Sequence, residues 1–201
     1  MKVLGITGGV GAGKSTVLAY LEKQYGVRVI QADLAAHQLQ MPGTTCYKRI
    51  AAEFGAEIFR MDGSINREIL GKIVYSDKTR LTALNNIVHP EVKAYIIREI
   101  EKERQKNQIP FLVVEAALLL EDGYDKICDE IWYIDTKREV REHRLQISRG
   151  YSMEKIRSIM ANQKTEDDYR CSCNFVVDNS SDFVENTYEQ IDKGLREHGF
   201  L

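Results

Sequence analysis

The chain has 201 residues, a net charge of −2 and a hydrophobic share of 43%. This is enough apolar material for one compact core, and the charge argues against a surface that coats nucleic acid. No apolar run approaches the roughly 20 residues that span a bilayer, and no signal peptide precedes the first strand, so we expect a cytoplasmic protein. The cysteines, Cys46, Cys128, Cys171 and Cys173, have no metal-binding spacing and are interpreted as reduced structural thiols.

Five short apolar segments rich in Val and Ile are predicted to be buried parallel strands. In chain order they cover residues 3–7, 27–31, 111–115, 130–135 and 174–178. Helix-like stretches separate most of them. The pattern predicts an α/β domain with a five-stranded parallel sheet and helices on both of its faces.

A glycine-rich loop follows the first predicted strand and precedes a helical stretch. Its letters, GGVGAGKS at residues 8–15, satisfy the pattern G-x-x-x-x-G-K-[ST]. Glycines allow successive backbone N–H groups to point at phosphate oxygens, and the following helix directs its positive dipole end to the same place. Lys14 can reach the terminal phosphates, and the Ser15 hydroxyl can ligate Mg²⁺. The loop therefore predicts a nucleoside triphosphate site.

The competing dinucleotide-binding pattern, G-x-G-x-x-G, fails on the letters. Counted from Gly9, its last glycine position holds Lys14, and counted from Gly11 it holds Thr16. The chain also lacks the N-K-x-D stretch by which a GTPase switch reads guanine. These two classes of nucleotide-binding protein are not favoured.

Asp33 ends the second predicted strand in the stretch VIQAD. In an open α/β sheet the ligand crevice lies at the carboxyl ends of the strands, so we expect Asp33 to face the γ-phosphate. A carboxylate there can accept the proton of an acceptor hydroxyl. Its position supports equally a helix N-cap before LAAHQL, and both roles stay open at this point.

Two connections are too long for plain crossovers, and such excursions in compact domains usually carry lids or binding elements. The first, between residues 33 and 110, contains a DGSINR turn at 62–67 and an amphipathic stretch from about residue 91 to 106. The second, residues 137–170, begins with a run that holds eight basic and three acidic side chains. A solvated helix face explains most charge runs, but a triphosphate site nearby favours a lid. These parts indicate a small-molecule kinase.

Six stretches occur in the order seen in dephospho-CoA kinases, and the chain resembles a bacterial-type member of that family along essentially its whole length. They are GITGGVGAGKST, ADLAAHQL, FGAEIFRMDGSINREIL, IVHPEV, ALLLE and RLQISRGYS. The resemblance implies a P-loop kinase-type three-layer fold with an inserted acceptor-binding helical region and a lid. It also implies the final step of coenzyme A synthesis, in which ATP phosphorylates the ribose 3′-hydroxyl of dephospho-CoA to give CoA and ADP.

On this resemblance we expect one domain over residues 1–201. Its core would comprise about 1–35, 108–136 and 171–201, the acceptor-binding region about 36–107, and the lid about 137–170. The implied partners are the small molecules ATP and dephospho-CoA together with Mg²⁺, with no nucleic acid polymer and no membrane.

The family's site residues transfer to matching positions of this chain. The expected ATP-binding residues are Gly11, Ala12, Gly13, Lys14, Ser15, Thr16, Arg144 and Arg149. Asp33, Lys14 and Arg144 are the expected catalytic residues, with Asp33 as the base.

Asp33, Arg67 and His89 are expected to bind the acceptor, although His89 can also be read as a structural histidine before a rigid proline. For Arg138 and Arg141 a solvated helix face, with pairing to neighbouring acids, remains the better interpretation.

Two departures from the family pattern affect the expected site. Glu115 stands where the family favours Asp, and it is a candidate for orienting Mg²⁺ through water. The turn at Asn179 reads Asn-Ser-Ser in place of N-x-G, close to where adenine is expected. Two alternatives stay open: a kinase for another nucleotide or nucleoside on the same scaffold, and a nucleotide-binding regulatory module without phosphoryl transfer.

Overall fold

The structure is a computed structural model that describes all 201 residues. Its single sheet has five strands in the order β2-β3-β1-β4-β5. The strands are β1 (Lys2–Thr7), β2 (Arg28–Gln31), β3 (Phe111–Glu115), β4 (Glu130–Asp135) and β5 (Phe175–Asp178). All five predicted strands are confirmed, two with identical bounds and three within one residue at one end. The predicted α/β class with a parallel five-stranded sheet is therefore confirmed.

Strand β1 lies at the centre of the sheet, with parallel partners β3 and β4 on its two edges. Its residues from Val3 to Thr7 are buried, which explains the uninterrupted apolar run that a strand covered on both faces requires. The register aligns Ile6 of β1 with Glu115 of β3, and Thr7 with Tyr133 of β4. The carboxyl ends of the three central strands thus meet where the glycine-rich loop begins.

Nine α-helices and two single-turn 3₁₀ helices connect the strands. The helices are α1 (Lys14–Tyr25), α2 (Ala32–Leu39), α3 (Thr45–Phe54), α4 (Arg67–Ser76), α5 (Lys78–Lys106), α6 (Arg138–Arg149), α7 (Met153–Ala161), α8 (Glu166–Ser172) and α9 (Val184–Glu197). None of them is long and apolar enough to cross a membrane.

The chain divides into two compact units. We call Met1–Val29 together with Glu103–Leu201 the core unit, and Ile30–Lys102 the inserted unit. In the core unit one apolar cluster joins the central strands to α1 and α9. Its outer edge is closed by Tyr20 of α1, which stacks on Tyr188 of α9 with ring centroids 3.8 Å apart.

The inserted unit is helical, and α3, α4 and the 3₁₀ turn Ala56–Ile58 pack around Ile50 and Ile58, both fully buried. Its longest helix, α5, begins at Lys78, runs through Pro90 and contains the amphipathic stretch predicted from about residue 91 to 106. A proline removes one helical hydrogen bond, and burial of Val88 and Val92 on either side offsets the loss.

Candidate active site

The phosphate loop, residues 8–15, joins β1 to α1 as predicted: β1 ends at Thr7 and α1 begins at Lys14. Gly11 and Gly13 have φ values of 79° and 82°, a left-handed conformation that favours glycine. The Thr16 N–H donates to the Gly13 carbonyl at 3.1 Å, so the first helical turn is already formed behind the loop. The strand–loop–helix context of the motif is confirmed.

The Lys14 ammonium group lies between the loop and the end of β3. Its Nζ donates to the Gly8 carbonyl at 2.8 Å and is 3.6 Å from Oε1 of Glu115. Glu115 is only 8% exposed, so the lysine also compensates a buried carboxylate. The structure thus brings Lys14 and Glu115 together, while the role of Glu115 toward a metal stays a prediction.

Helix α6 packs directly on the phosphate loop at two of its glycines. A Cβ at Gly9 would lie 2.3 Å from Nη2 of Arg141, and a Cβ at Gly11 would lie 3.0 Å from the Leu145 side chain. Arg141 is 8% exposed and its Nε donates to the Val10 carbonyl at 2.9 Å. Our interpretation of Arg141 as part of a solvated face was therefore wrong, because the loop covers that face of α6.

Arg138 behaves as expected for the solvated face of the same helix. Its Nε lies 2.9 Å from Oε1 of Glu142, one turn further along, and most of its side chain is exposed. The ion pair raises the pKa of Arg138, chiefly through the hydrogen bond to Glu142.

The two predicted lid arginines differ in their surroundings. Nη1 of Arg144 is buried without any hydrogen-bond partner, and it lies 3.2 Å from where a Cβ at Gly13 would stand. Arg149 is exposed at the last position of α6, where its guanidinium lies 5.9 Å from the ring centroid of Tyr151. The structure brings Arg144 to the loop and leaves Arg149 in solvent.

Sequence reasoning missed a set of buried hydrogen bonds on the other side of the loop, made by Thr136, Asn179 and Thr187, which we call the brace. The Ala12 carbonyl accepts from Nδ2 of Asn179 at 2.8 Å and from Oγ1 of Thr136 at 3.0 Å. Oγ1 of Thr187 on α9 donates to Oδ1 of Asn179 at 2.9 Å and so fixes its orientation. All three side chains are buried. The only signal in the sequence was the position of Asn179 directly after the last predicted strand.

The turn after β5 is ordered by Asp178 and Ser180. The Ser180 N–H donates to Oδ1 of Asp178 at 2.9 Å, and the Lys137 N–H donates to Oγ of Ser180 at 3.0 Å. The hydrogen bonds from Ser180 lower the pKa of Asp178. The turn in which this chain has Ser181 at the glycine position of the family pattern is thus held by the neighbouring side chains of Asp178 and Ser180.

In the inserted unit, Asp33 lies in the first turn of α2 and is exposed. The strand before it ends at Gln31, and Gln31 is also the N-cap of α2. Asp33 therefore neither ends the strand nor caps the helix, because the helix begins two residues earlier than the sequence pattern indicated. Its assignment as the base stays a prediction.

The structure joins Arg67 to a residue that was not predicted. Nη1 of Arg67, at the first position of α4, lies 2.8 Å from Nδ1 and 2.6 Å from Nε2 of His37. His37 lies on α2, four residues after Asp33 and on the same side of that helix. The helical spacing within ADLAAHQL could have pointed to His37. His89 is half-buried inside α5, directly before Pro90.

The chain was compared with known proteins. The sequence profile of the dephospho-CoA kinase family (CoaE) matches residues 2–185. A dephospho-CoA kinase of Symbiobacterium thermophilum is 37% identical over 98% of this chain and 81% of its own length. One from Dehalococcoides mccartyi is 40% identical over 92% of each chain.

Among solved structures, the Thermus thermophilus protein TT1252 superimposes with a TM-score of 0.84 at 26% identity, over 98% of this chain and 97% of its own. The profile match covers the phosphate loop, the inserted unit and α6 to α8. The chain belongs to the dephospho-CoA kinase family.

Proposed function

We propose that this chain transfers the γ-phosphoryl group of ATP to the ribose 3′-hydroxyl of dephospho-CoA, which yields CoA and ADP. The observation that carries the proposal is the buried, unpartnered Nη1 of Arg144 beside Gly13 of the phosphate loop. A buried donor without an acceptor is costly, and a phosphate oxygen would supply the acceptor. Family membership supports dephospho-CoA as the acceptor.

The donor half of the reaction is assigned to the core unit. Residues Gly11 to Thr16 would hold the β- and γ-phosphates at the start of α1 through those backbone N–H groups that do not already donate within the chain, as Ala12 and Thr16 do. Lys14 would exchange its bond to the Gly8 carbonyl for the terminal phosphate oxygens, since it is a flexible cation already at the loop. Arg144 would neutralise charge that develops on the transferring group, and Arg149 would join it when the lid covers the nucleotide.

The residues present fit a Mg²⁺ ion that is held mainly by ATP. Ser15 presents an exposed hydroxyl in the first turn of α1, and Glu115 supplies a carboxylate beside Lys14. No group of three or more acidic, histidine or cysteine side chains could hold a metal alone, which suits an ion that keeps waters and phosphate ligands. When bound, Mg²⁺ would offset negative charge on the β- and γ-phosphates.

The acceptor half is assigned to residues 36–107, together with Asp33. Asp33 would align the ribose 3′-hydroxyl and accept its proton. Arg67 and His37 form an exposed pair of basic side chains one helical turn from Asp33, which suits anionic groups of the acceptor. His89 is proposed to lie near the same ligand. Most of the rate would come from positioning and electrostatics.

The proposal is tested by measuring ADP formation with and without dephospho-CoA, with mass spectrometry to locate the added phosphate. We expect ADP and CoA to form in equal amounts and only when both substrates are present. Adenosine and CMP serve as alternative acceptors. Equal turnover of CMP or adenosine would contradict the proposed acceptor, and ADP formation at the same rate without any acceptor would contradict phosphoryl transfer.

A further inference from the structure

The two peptide groups on either side of the Val10 Cα, in the phosphate loop, are held by two side chains of the region 137–170. The Val10 N–H donates to Oε1 of Gln163 at 3.2 Å, and Nε of Arg141 donates to the Val10 carbonyl at 2.9 Å. Nη2 of Arg141 also donates to the same Oε1 of Gln163 at 2.8 Å. The three bonds close a ring through the backbone of Val10, from its N–H to its carbonyl, which we call the Val10 clamp.

The clamp holds a buried charge without a carboxylate. Arg141 is 8% exposed, yet its acceptors are a carbonyl and an amide oxygen, and no acidic side chain forms an ion pair with it. Buried charges in proteins are normally paired with an opposite charge. Arg144, one turn further along α6, has an unpartnered Nη1 and places a second guanidinium group beside the loop. This arrangement suits a bound polyanion.

The clamp acts at a position that controls the direction of the following amides. Val10 precedes Gly11, whose φ of 79° is in the left-handed region at the bend of the loop. Rotation of the Val10–Gly11 peptide plane would redirect the Gly11 N–H and, through the shared Cα, the peptide group that follows it. Gln163, between α7 and α8, and Arg141, on α6, therefore connect three helices of the region 137–170 to the loop.

We propose that Arg141 and Gln163 are positioning residues for the triphosphate. They fix the backbone N–H and carbonyl of Val10 so that the loop amides stay directed at the β-phosphate. Arg141 also adds positive electrostatic potential at the loop. The inference rests on the proposed role of the phosphate loop in ATP binding. It does not depend on the identity of the acceptor.

The test compares the affinity for ADP with the affinity for AMP, measured by calorimetric titration of Gln163→Ala, Arg141→Met and the double variant. Each single change should weaken ADP binding about tenfold, the loss expected for a charge-assisted hydrogen bond. AMP has no β-phosphate and should bind equally to all variants. The double variant should lose little more than either single one, because both changes open the same ring.

The Gln163→Glu variant separates the effect of the clamp's hydrogen bonds on ADP affinity from the effect of the positive charge of Arg141. Its carboxylate can accept both hydrogen bonds of the clamp but would also neutralise Arg141, so we expect ADP affinity between those of the wild type and Gln163→Ala. Arg138→Ala is the matched control, since Arg138 lies on the same helix, is largely exposed and pairs with Glu142. It should bind ADP like the wild type.

Two results would overturn the proposal. One is unchanged ADP affinity in both Gln163→Ala and Arg141→Met. The other is an equal loss of ADP and AMP affinity with a lower melting temperature, which would assign the clamp to general stability. Neither measurement uses turnover, so the clamp and phosphoryl transfer to dephospho-CoA can fail independently.

Discussion

The phosphate loop and the proposed acceptor residues differ in how firmly the surrounding side chains hold them. Around the loop, the carbonyls of Gly8, Val10 and Ala12 each accept from a side chain of the core unit. In the inserted unit Asp33 and Arg67 are exposed, and the contact of Arg67 is with His37, also exposed. If the proposed sites hold, the donor site is preorganised before the nucleotide binds, and the side chains of the acceptor site are fixed by their ligand.

This contrast predicts different consequences of mutation. Changes around the loop break buried hydrogen bonds, so they should affect both folding and nucleotide binding. Changes at exposed acceptor residues should affect catalysis or acceptor binding while leaving stability near that of the wild type.

Arg144→Ala should lower kcat by about 10³-fold or more, as expected for an arginine that stabilises a transferring phosphoryl group. Arg149→Ala should cost much less, because its guanidinium lies in solvent beside Tyr151. Both values are obtained from steady-state ADP release at saturating substrates. Equal losses in the two variants would mean that the buried position of Arg144 carries no special role.

Asp33→Asn should lower kcat by about 10²- to 10⁴-fold, the usual contribution of a general base. ADP affinity and melting temperature should stay unchanged, because the side chain is exposed and outside the phosphate loop. Calorimetric titration with ADP and a thermal melt accompany the kinetics. Weakened ADP binding would show that Asp33 is structural.

Arg67→Ala should raise KM for dephospho-CoA about tenfold with little change in kcat, because one charge-assisted hydrogen bond to the acceptor is lost. The matched control is Arg80→Ala, an exposed arginine of the same unit that pairs with Glu53. It should leave KM unchanged. The assignment of Arg67 fails if both variants raise KM to the same extent.

Thr187→Val removes the hydroxyl that orients Asn179 and keeps the shape of a fully buried side chain. We expect a loss of about 1–2 kcal/mol in the free energy of unfolding and a few-fold weaker ADP binding. Thr187→Ser retains the hydroxyl and should bind ADP more tightly than the valine variant. Identical ADP affinities for the two variants would exclude the brace as a determinant of loop geometry.

The sequence predicted best those features that depend on local patterns. Continuous apolar runs located all five strands, since strands buried on both faces need them. The glycine-rich motif located the phosphate loop because its residue types are set by backbone conformation. The exposed position of Arg138 on α6, paired with Glu142, also agrees with the sequence interpretation of a solvated face.

Features that depend on packing between distant segments could not be predicted in the same way. Arg141 is as charged as Arg138, and only its place four residues before buried Leu145 put it on the inner face of α6. The pairing of His37 with Arg67 joins helices 30 residues apart, which no local spacing encodes. The role of Asp33 and the functional division of residues 36–107 and 137–170 stay predictions.

The contact between Gly9 and Arg141 has a consequence for engineering. The motif G-x-x-x-x-G-K-[ST] permits any residue at its second position, yet here a methyl group at residue 9 would overlap the guanidinium of Arg141. The restriction comes from a neighbouring helix and is independent of the nucleotide. Grafting this loop from a homologue with a larger second residue should therefore displace the Arg141 guanidinium and break its hydrogen bonds to Val10 and Gln163.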